Sequence, residues 1–233
     1  MKNELLLIVS VPLYFGAVLL MLRFFKETGL YVWTVIATIA ANIEVLILIR
    51  AFGMEQTLGN VLFASTFLVT DILSEVYGKK TANRAVVYGC AASVLFIVLS
   101  RYWLLYTPSQ NDWAMTAMRT VFSNTPRVMG AGLAAYAISQ FFDVWLYHKW
   151  WDFTAKRCAN KKKFLWLRNN GSTLVSQLLN TVLFTAAAFY GLYPLQTLVS
   201  IACSTYVIYI ITSFADTPFV YAARKIMSVD SAK

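Results

Sequence analysis

The sequence predicts an all-α, polytopic membrane bundle of about seven transmembrane helices. Three observations carry that prediction. The 233 residues are 59% hydrophobic and 13% charged, against about 45–50% apolar and about 25% charged in soluble chains. The apolar residues form seven continuous runs, each near the roughly 20 residues a helix needs to cross hydrocarbon. Lysine and arginine gather between the runs, mostly on alternate sides, as topology signals do. This composition leaves too little charge to wet a soluble enzyme of this size, and it also excludes a disordered chain, a collagen and a disulfide scaffold.

The first run, 5–22, is too long for a signal peptide and has no small-x-small cleavage site before Arg23. Positive charge follows it at Arg23 and Lys26 more than it precedes it at Lys2. It therefore reads as a retained helix with its N-terminus outside. The next three runs are 30–49, 58–77 and 85–106. The segment 107–126 is rich in Ser, Asn, Thr and Pro, and Trp113, Met115 and Met118 suit it to the membrane interface. Runs at 127–147, 171–192 and 195–221 follow; the last is long enough either to tilt or to break near Asp216-Thr217-Pro218. The runs are continuous rather than alternating, so they are helices and not barrel strands.

Fifteen of the 20 Lys and Arg residues fall on the side of the C-terminus, in the loops after the first, third and fifth runs and in the tail. Lys2, Arg50, Arg101, Arg119 and Arg127 fall on the other side. This split predicts the N-terminus out, the C-terminus in and an odd helix count. The net charge of +9 is thus a matter of topology and lipid headgroups, Lys161-Lys162-Lys163 included, and no nucleic-acid partner is expected. Cys90 and Cys203 lie in apolar runs and Cys158 in a basic loop, with no spacing for a disulfide framework or a zinc site. No cofactor or metal is expected.

Ionisable groups inside hydrocarbon face a cavity or a partner. Here they are Glu44, Asp71, Glu75, Arg101, Asp143 and Asp216. Asp71 and Glu75 share a helix face, as do Gln140 and Asp143, and Thr38 and Asn42. In the sixth run Thr173, Ser176, Gln177, Asn180 and Thr181 form a polar stripe. Such stripes serve either interhelical packing or a polar pocket; four of them together favour the pocket. Glu75 either belongs to that site or pairs with Lys79 or Arg84. Arg101 reads as snorkelling outward and His148 as structural. Motifs for zinc hydrolases, serine hydrolases and dinucleotide binding are absent. Gly78-Lys79-Lys80-Thr81 lacks the earlier glycine of a phosphate loop, where Leu73 stands.

Two stretches are distinctive. One is Thr70-Asp71-Ile72-Leu73-Ser74-Glu75-Val76-Tyr77-Gly78-Lys79-Lys80, followed by Ala82 and Arg84. The other begins at Ser139-Gln140-Phe141-Phe142-Asp143 and resumes at Leu165-Trp166-Leu167-Arg168-Asn169-Asn170, Ser172-Thr173 and Ser176-Gln177, with Asp216-Thr217-Pro218 closing the chain. From about Asn42 to Tyr221 the chain resembles the queuosine-precursor transporter family, grouped with the vitamin uptake transporters. The resemblance implies a multi-pass importer in the inner membrane for 7-deazaguanine bases, the precursors of a modified tRNA nucleoside. The base would be the cyano or aminomethyl form, or queuine. It implies a six-helix core at 30–225, an added N-terminal helix at 1–29 and a cytoplasmic tail at 226–233. It marks Asn42, Thr70, Asp71, Glu75, Gln140, Asp143, Arg168 and Gln177 as matching positions. It also marks departures: family members often carry Asp where Asn180 stands, and Lys near Ile208 or Tyr209. Those departures read either as a lost ion pair or as a changed substrate or coupling step.

A purine-like base offers N–H donors and a carbonyl, which carboxylates and side-chain amides can match. The expected substrate contacts are Asn42, Asp71, Gln140, Asp143, Gln177 and Asn180, with Tyr136, Phe141, Phe142 and Tyr206 as stacking candidates. Glu75 and Arg168 are the expected gate or structural pair. The pocket is expected among the second, third, fifth and sixth runs, near mid-membrane. Two other readings stay open: a substrate-binding membrane subunit served by a separate ATPase module, and a membrane enzyme or scaffold without transport. Gly130, Gly132, Ala134 and Ala135 permit close helix contact, either within one chain or in a homodimer.

Overall fold

A computed structural model describes residues 2–123, 126–157 and 164–230. Cys158, the Lys161-Lys162-Lys163 run and Lys233 lie outside the described residues. Among those described are seven helices and one small sheet: α1 (Lys2–Glu44), β1 (Leu48–Ala51), β2 (Met54–Thr57), α2 (Asn60–Val76), α3 (Lys79–Trp103), α4 (Met115–Ser123), α5 (Pro126–Arg157), α6 (Leu165–Phe189) and α7 (Leu195–Asp230). The chain is a polytopic helical membrane protein. Four of its helices, α1, α3, α6 and α7, are long and apolar enough by themselves to cross a membrane.

The first two expected helices are the two limbs of α1. The chain reverses at Lys26, whose φ of 54° lies in the left-handed region. The reversal is tight: a side chain on Gly29 would strike the Met21 carbonyl. The limbs run antiparallel, so that Asn3 Nδ2 donates to the Arg50 carbonyl at 3.0 Å and Glu4 Oε1 accepts from the Phe52 N–H at 3.3 Å. The second limb ends at Glu44, not at Ile49 as the apolar run suggests. Beyond it β1 and β2 pair antiparallel, Ala51 opposite Met54, across Phe52 and Gly53. Both turn residues have positive φ, as a type I′ hairpin turn requires.

The break considered near Pro218 is absent, and α7 runs unbroken to Asp230. The segment expected at the interface contains α4, and there Arg101 donates to the Phe122 carbonyl at 3.1 Å. α2 is the innermost rod, buried at nearly every position and packed against α1, α3, α5 and α7. Shielding from lipid explains how a helix of only 17 residues, about 25 Å long, can carry Thr66, Thr70, Asp71 and Ser74. An apolar layer toward the Lys79 end holds the bundle together, including Phe15, Leu22, Leu30, Leu68, Ile72 and Val86. Outward faces such as Leu5, Ile8, Leu13, Leu95 and Val98 are exposed, as lipid-facing side chains are.

Candidate functional site

Polar side chains stack in three levels along the bundle. The first is a cavity of about 550 Å³ toward the hairpin end. It is lined from α1, the hairpin, α2, α3, α5, α6 and α7, which is broader than the four helices expected. Of the expected contacts, Asn42 and Asn180 line it.

Their carboxamides are oriented by neighbours. Asn42 Nδ2 donates to the Thr38 carbonyl at 2.8 Å and to Ser93 Oγ at 3.4 Å. A carbonyl can only accept, so the amide cannot flip, and Oδ1 remains as an uncommitted acceptor. Asn180 Oδ1 accepts from Ser139 Oγ at 3.3 Å, a hydroxyl whose single proton also faces the Tyr136 carbonyl at 3.3 Å, and in this arrangement Asn180 Nδ2 is the uncommitted donor. The wall between them is aromatic: Phe63 meets Tyr136 at 5.9 Å and Tyr209 at 6.2 Å between ring centroids. Tyr136 packs against Gly89, where any side chain would strike its hydroxyl.

Other aromatic expectations are corrected. Phe141 is 41% exposed on the outer surface, and neither it nor Phe142 nor Tyr206 lines the cavity. Phe141 neighbours Gln140 in sequence, but one residue is a 100° turn of a helix. Phe63, Tyr209, Gln56, Ser93 and the α7 positions Thr197, Ser200 and Ser204 were missed. The α7 set was legible, because its spacings of three and four match the stripe in α6.

The second level lies below the cavity floor. Asp71, Gln140, Asp143 and Gln177 are buried here and do not line the cavity. Gln140 ties α5 to α2, donating to Thr66 Oγ1 at 2.7 Å and accepting from Thr70 Oγ1 at 3.0 Å. Asp71 Oδ2 accepts from Thr173 at 2.8 Å. Asp216 Oδ1 accepts from Asn169 Nδ2 at 2.6 Å, and Asn170 Nδ2 donates to Thr217 at 2.7 Å. The paired asparagines of α6 thus latch onto the Asp-Thr-Pro segment of α7.

The third level faces the Lys79 end. Glu75 Oε2 accepts from Arg168 Nη2 at 2.8 Å and from the Tyr147 hydroxyl at 2.7 Å, while Arg224 lies 3.5 Å from Oε1. The Arg168 guanidinium sits 4.4 Å from the Trp151 ring centroid, and the side chain is 1% exposed. Glu75 therefore pairs with neither Lys79 nor Arg84. Those two follow Gly78, where the chain turns away into α3. His148 stacks on Trp151. Gly132 lines the cavity, facing Asn42 and Phe184 of its own chain.

Residues 57–223 match the family described as "putative vitamin uptake transporter". The chain belongs to this family. Over 230 residues, covering 99% of this chain and 98% of the relative, it is 38% identical to a protein of Bacillus subtilis (strain 168) named "probable queuosine precursor transporter". No solved structure matches. The matched span of this vitamin uptake transporter family member holds all of α2, α3, α5 and α6. Most of the cavity wall, the second level and all of the third level except Arg224 therefore lie within the matched span.

Proposed function

We propose that this transporter-family protein imports a 7-deazaguanine base, a precursor of queuosine, across the cytoplasmic membrane by alternating access. The observation that carries the reading is the cavity, with one acceptor held by Asn42 and one donor held by Asn180. A guanine-like base needs that pair: its N–H donors reach Asn42 Oδ1 and its ring carbonyl accepts from Asn180 Nδ2. Phe63, Tyr136 and Tyr209 offer ring faces for stacking. The volume is in the range of small-molecule sites. The name of the Bacillus relative supports this substrate class.

Charge distribution sets the hairpin end outside, with the N-terminus out and the C-terminus in across seven crossings. In that orientation the cavity opens outward, and the Glu75–Arg168 pair with Tyr147 and Trp151 is the closed cytoplasmic gate. The α1 limb up to residue 29 is an addition to a six-helix core.

The test is tRNA queuosine content in a host that can neither make nor import the precursors. Expression of this chain with cyano-deazaguanine, aminomethyl-deazaguanine or queuine supplied separately restores the modification with at least one base. Membrane expression without restoration by any of the three overturns the reading. Restoration only when an ATPase module is co-expressed replaces it with the subunit reading.

A further inference from the structure

The cavity does not use the carboxylates beneath it. Asp71 of α2 and Asp143 of α5 are fully buried, and Asp216 of α7 is 1% exposed. The bonds from Gln140 to Thr66 and Thr70 hold α5 against α2, and across that contact Asp143, one turn beyond Gln140, and Asp71, next to Thr70, come within reach of each other, with Asp216 of α7 nearby. A cluster of acids alone would not mark a site. Its partners do. Neither oxygen of Asp143 has a hydrogen-bond partner among the described residues, and Asp71 Oδ1 has none. Gln177 Oε1 and Asn169 Oδ1, on the adjoining α6, are also unpaired acceptors. Ser172 and Ser176 lie beside Asp143, but their hydroxyls donate to helix carbonyls at 2.9 and 2.8 Å. The charged and titratable groups next along the bundle are Tyr147 of α5, Glu75 of α2, Arg168 of α6 and Arg224 of α7, and those four are gathered on one another at the third level.

What the facing oxygens of Asp71 and Asp143 lack is a donor between them. We propose that Asp71 and Asp143 form a proton-binding site that couples import to the transmembrane proton gradient. A dry, unpaired carboxylate is too costly to keep charged, and two that face each other are stabilised by a proton between them. The site lies between the outward cavity and the closed gate, where a coupling ion must bind to be exposed to one side at a time.

The proton enters from the outer water past the Thr66–Gln140–Thr70 bridge and forms an O–H bond on a carboxylate oxygen. That bond breaks when the gate opens, and the proton passes to cytoplasmic water. One proton binds and one leaves, with no redox change. Asp71 and Asp143 thereby become coupling residues rather than substrate contacts. This proton site rests on the import reading above and is independent of which base is carried.

The experiment has two arms. In the first, infrared spectra of the purified full chain are recorded at neutral pH in light and heavy water. A carboxylic-acid carbonyl band is expected, shifted by deuterium and diminished in Asp143→Asn and Asp71→Asn. Fully ionised carboxylates in the wild-type spectrum overturn the proposal, whatever the substrate. In the second, the chain in liposomes takes up labelled aminomethyl-deazaguanine. An inward proton gradient is expected to raise wild-type accumulation about tenfold. Asp143→Asn is expected to keep exchange across the membrane and lose that gain. Accumulation driven by sodium instead, or an undiminished gain in both variants, overturns the proposal. Absence of all exchange in the wild type with the infrared band present counts against the substrate reading alone.

Discussion

Asn42 and Asn180 do different jobs with the same functional group, because their neighbours have taken the opposite end of each amide. Asn42 is left with an oxygen and Asn180 with a nitrogen. Asn42→Leu removes the acceptor and leaves a substrate N–H unpaired, at about 1–3 kcal/mol. An uptake assay should show KM raised roughly fivefold to a hundredfold, by the usual conversion of about 1.4 kcal/mol per decade. Asn180→Asp exchanges donor for acceptor and should weaken the same base at least as much. An unchanged KM in both variants contradicts the assigned roles. Both residues were legible in the sequence, since an amide at helical spacing from other polar groups stands out in an apolar run. Their orientation was not legible, because it depends on Ser93 and Ser139, which lie 51 and 41 residues away in the chain. The pairing of Glu75 with Arg168 was expected from the distinctive stretches and not from local spacing, because Arg168 is 93 residues distant and Lys79 and Arg84 are the nearer candidates on paper.

At the scale of elements, two junctions fix how helices meet. α3 approaches α5 where Gly89 meets the Tyr136 ring. Gly89→Ala drives a methyl into the tyrosine hydroxyl, and overpacking of this kind costs about 1–3 kcal/mol. Substrate affinity should fall, because Tyr136 belongs to the cavity wall. Combining it with Tyr136→Phe removes the struck oxygen and should restore much of the loss; strictly additive losses in the binding assay contradict the contact. α2, α5 and α6 meet at the Glu75 cluster. Glu75→Gln leaves the buried Arg168 without its counter-charge, at about 3–5 kcal/mol. Thermal unfolding in detergent should show a clear drop in Tm. Arg168→Lys should not spare the protein, because an ammonium cannot both stack on Trp151 and reach Glu75 as the planar guanidinium does. A wild-type Tm in either variant contradicts the role given to the pair. Hydropathy revealed the helices but not the hairpin at 48–57, since Leu46 to Ile49 simply prolong an apolar run. The sign of the turn was local: a glycine at 53 after a short apolar stretch. Hydropathy did separate the two limbs of α1, whose reversal at Lys26 falls between the runs 5–22 and 30–49.

For the whole molecule, the alternation of helix directions and the alternation of charge agree. The N-terminal residues touch the hairpin, while Glu75, Tyr147, Arg168 and Arg224 converge at the opposite end. A cysteine introduced at Ser109 should react with a membrane-impermeant maleimide in intact cells, and one at Lys80 only after permeabilisation. The reverse pattern would invert the cavity and turn the importer geometry around. The central claim is that the outward cavity binds and delivers a deazaguanine through Asn42 and Asn180. The measurement that meets it most directly is uptake of labelled cyano- and aminomethyl-deazaguanine by liposomes containing the purified chain, alone, beside Asn42→Leu and Asn180→Asp. The account predicts saturable uptake of at least one base, competed by guanine-like and not by adenine-like compounds, and weakened in both variants. Uptake that is absent for both bases, or that is indifferent to both substitutions and to the competing edge, contradicts it.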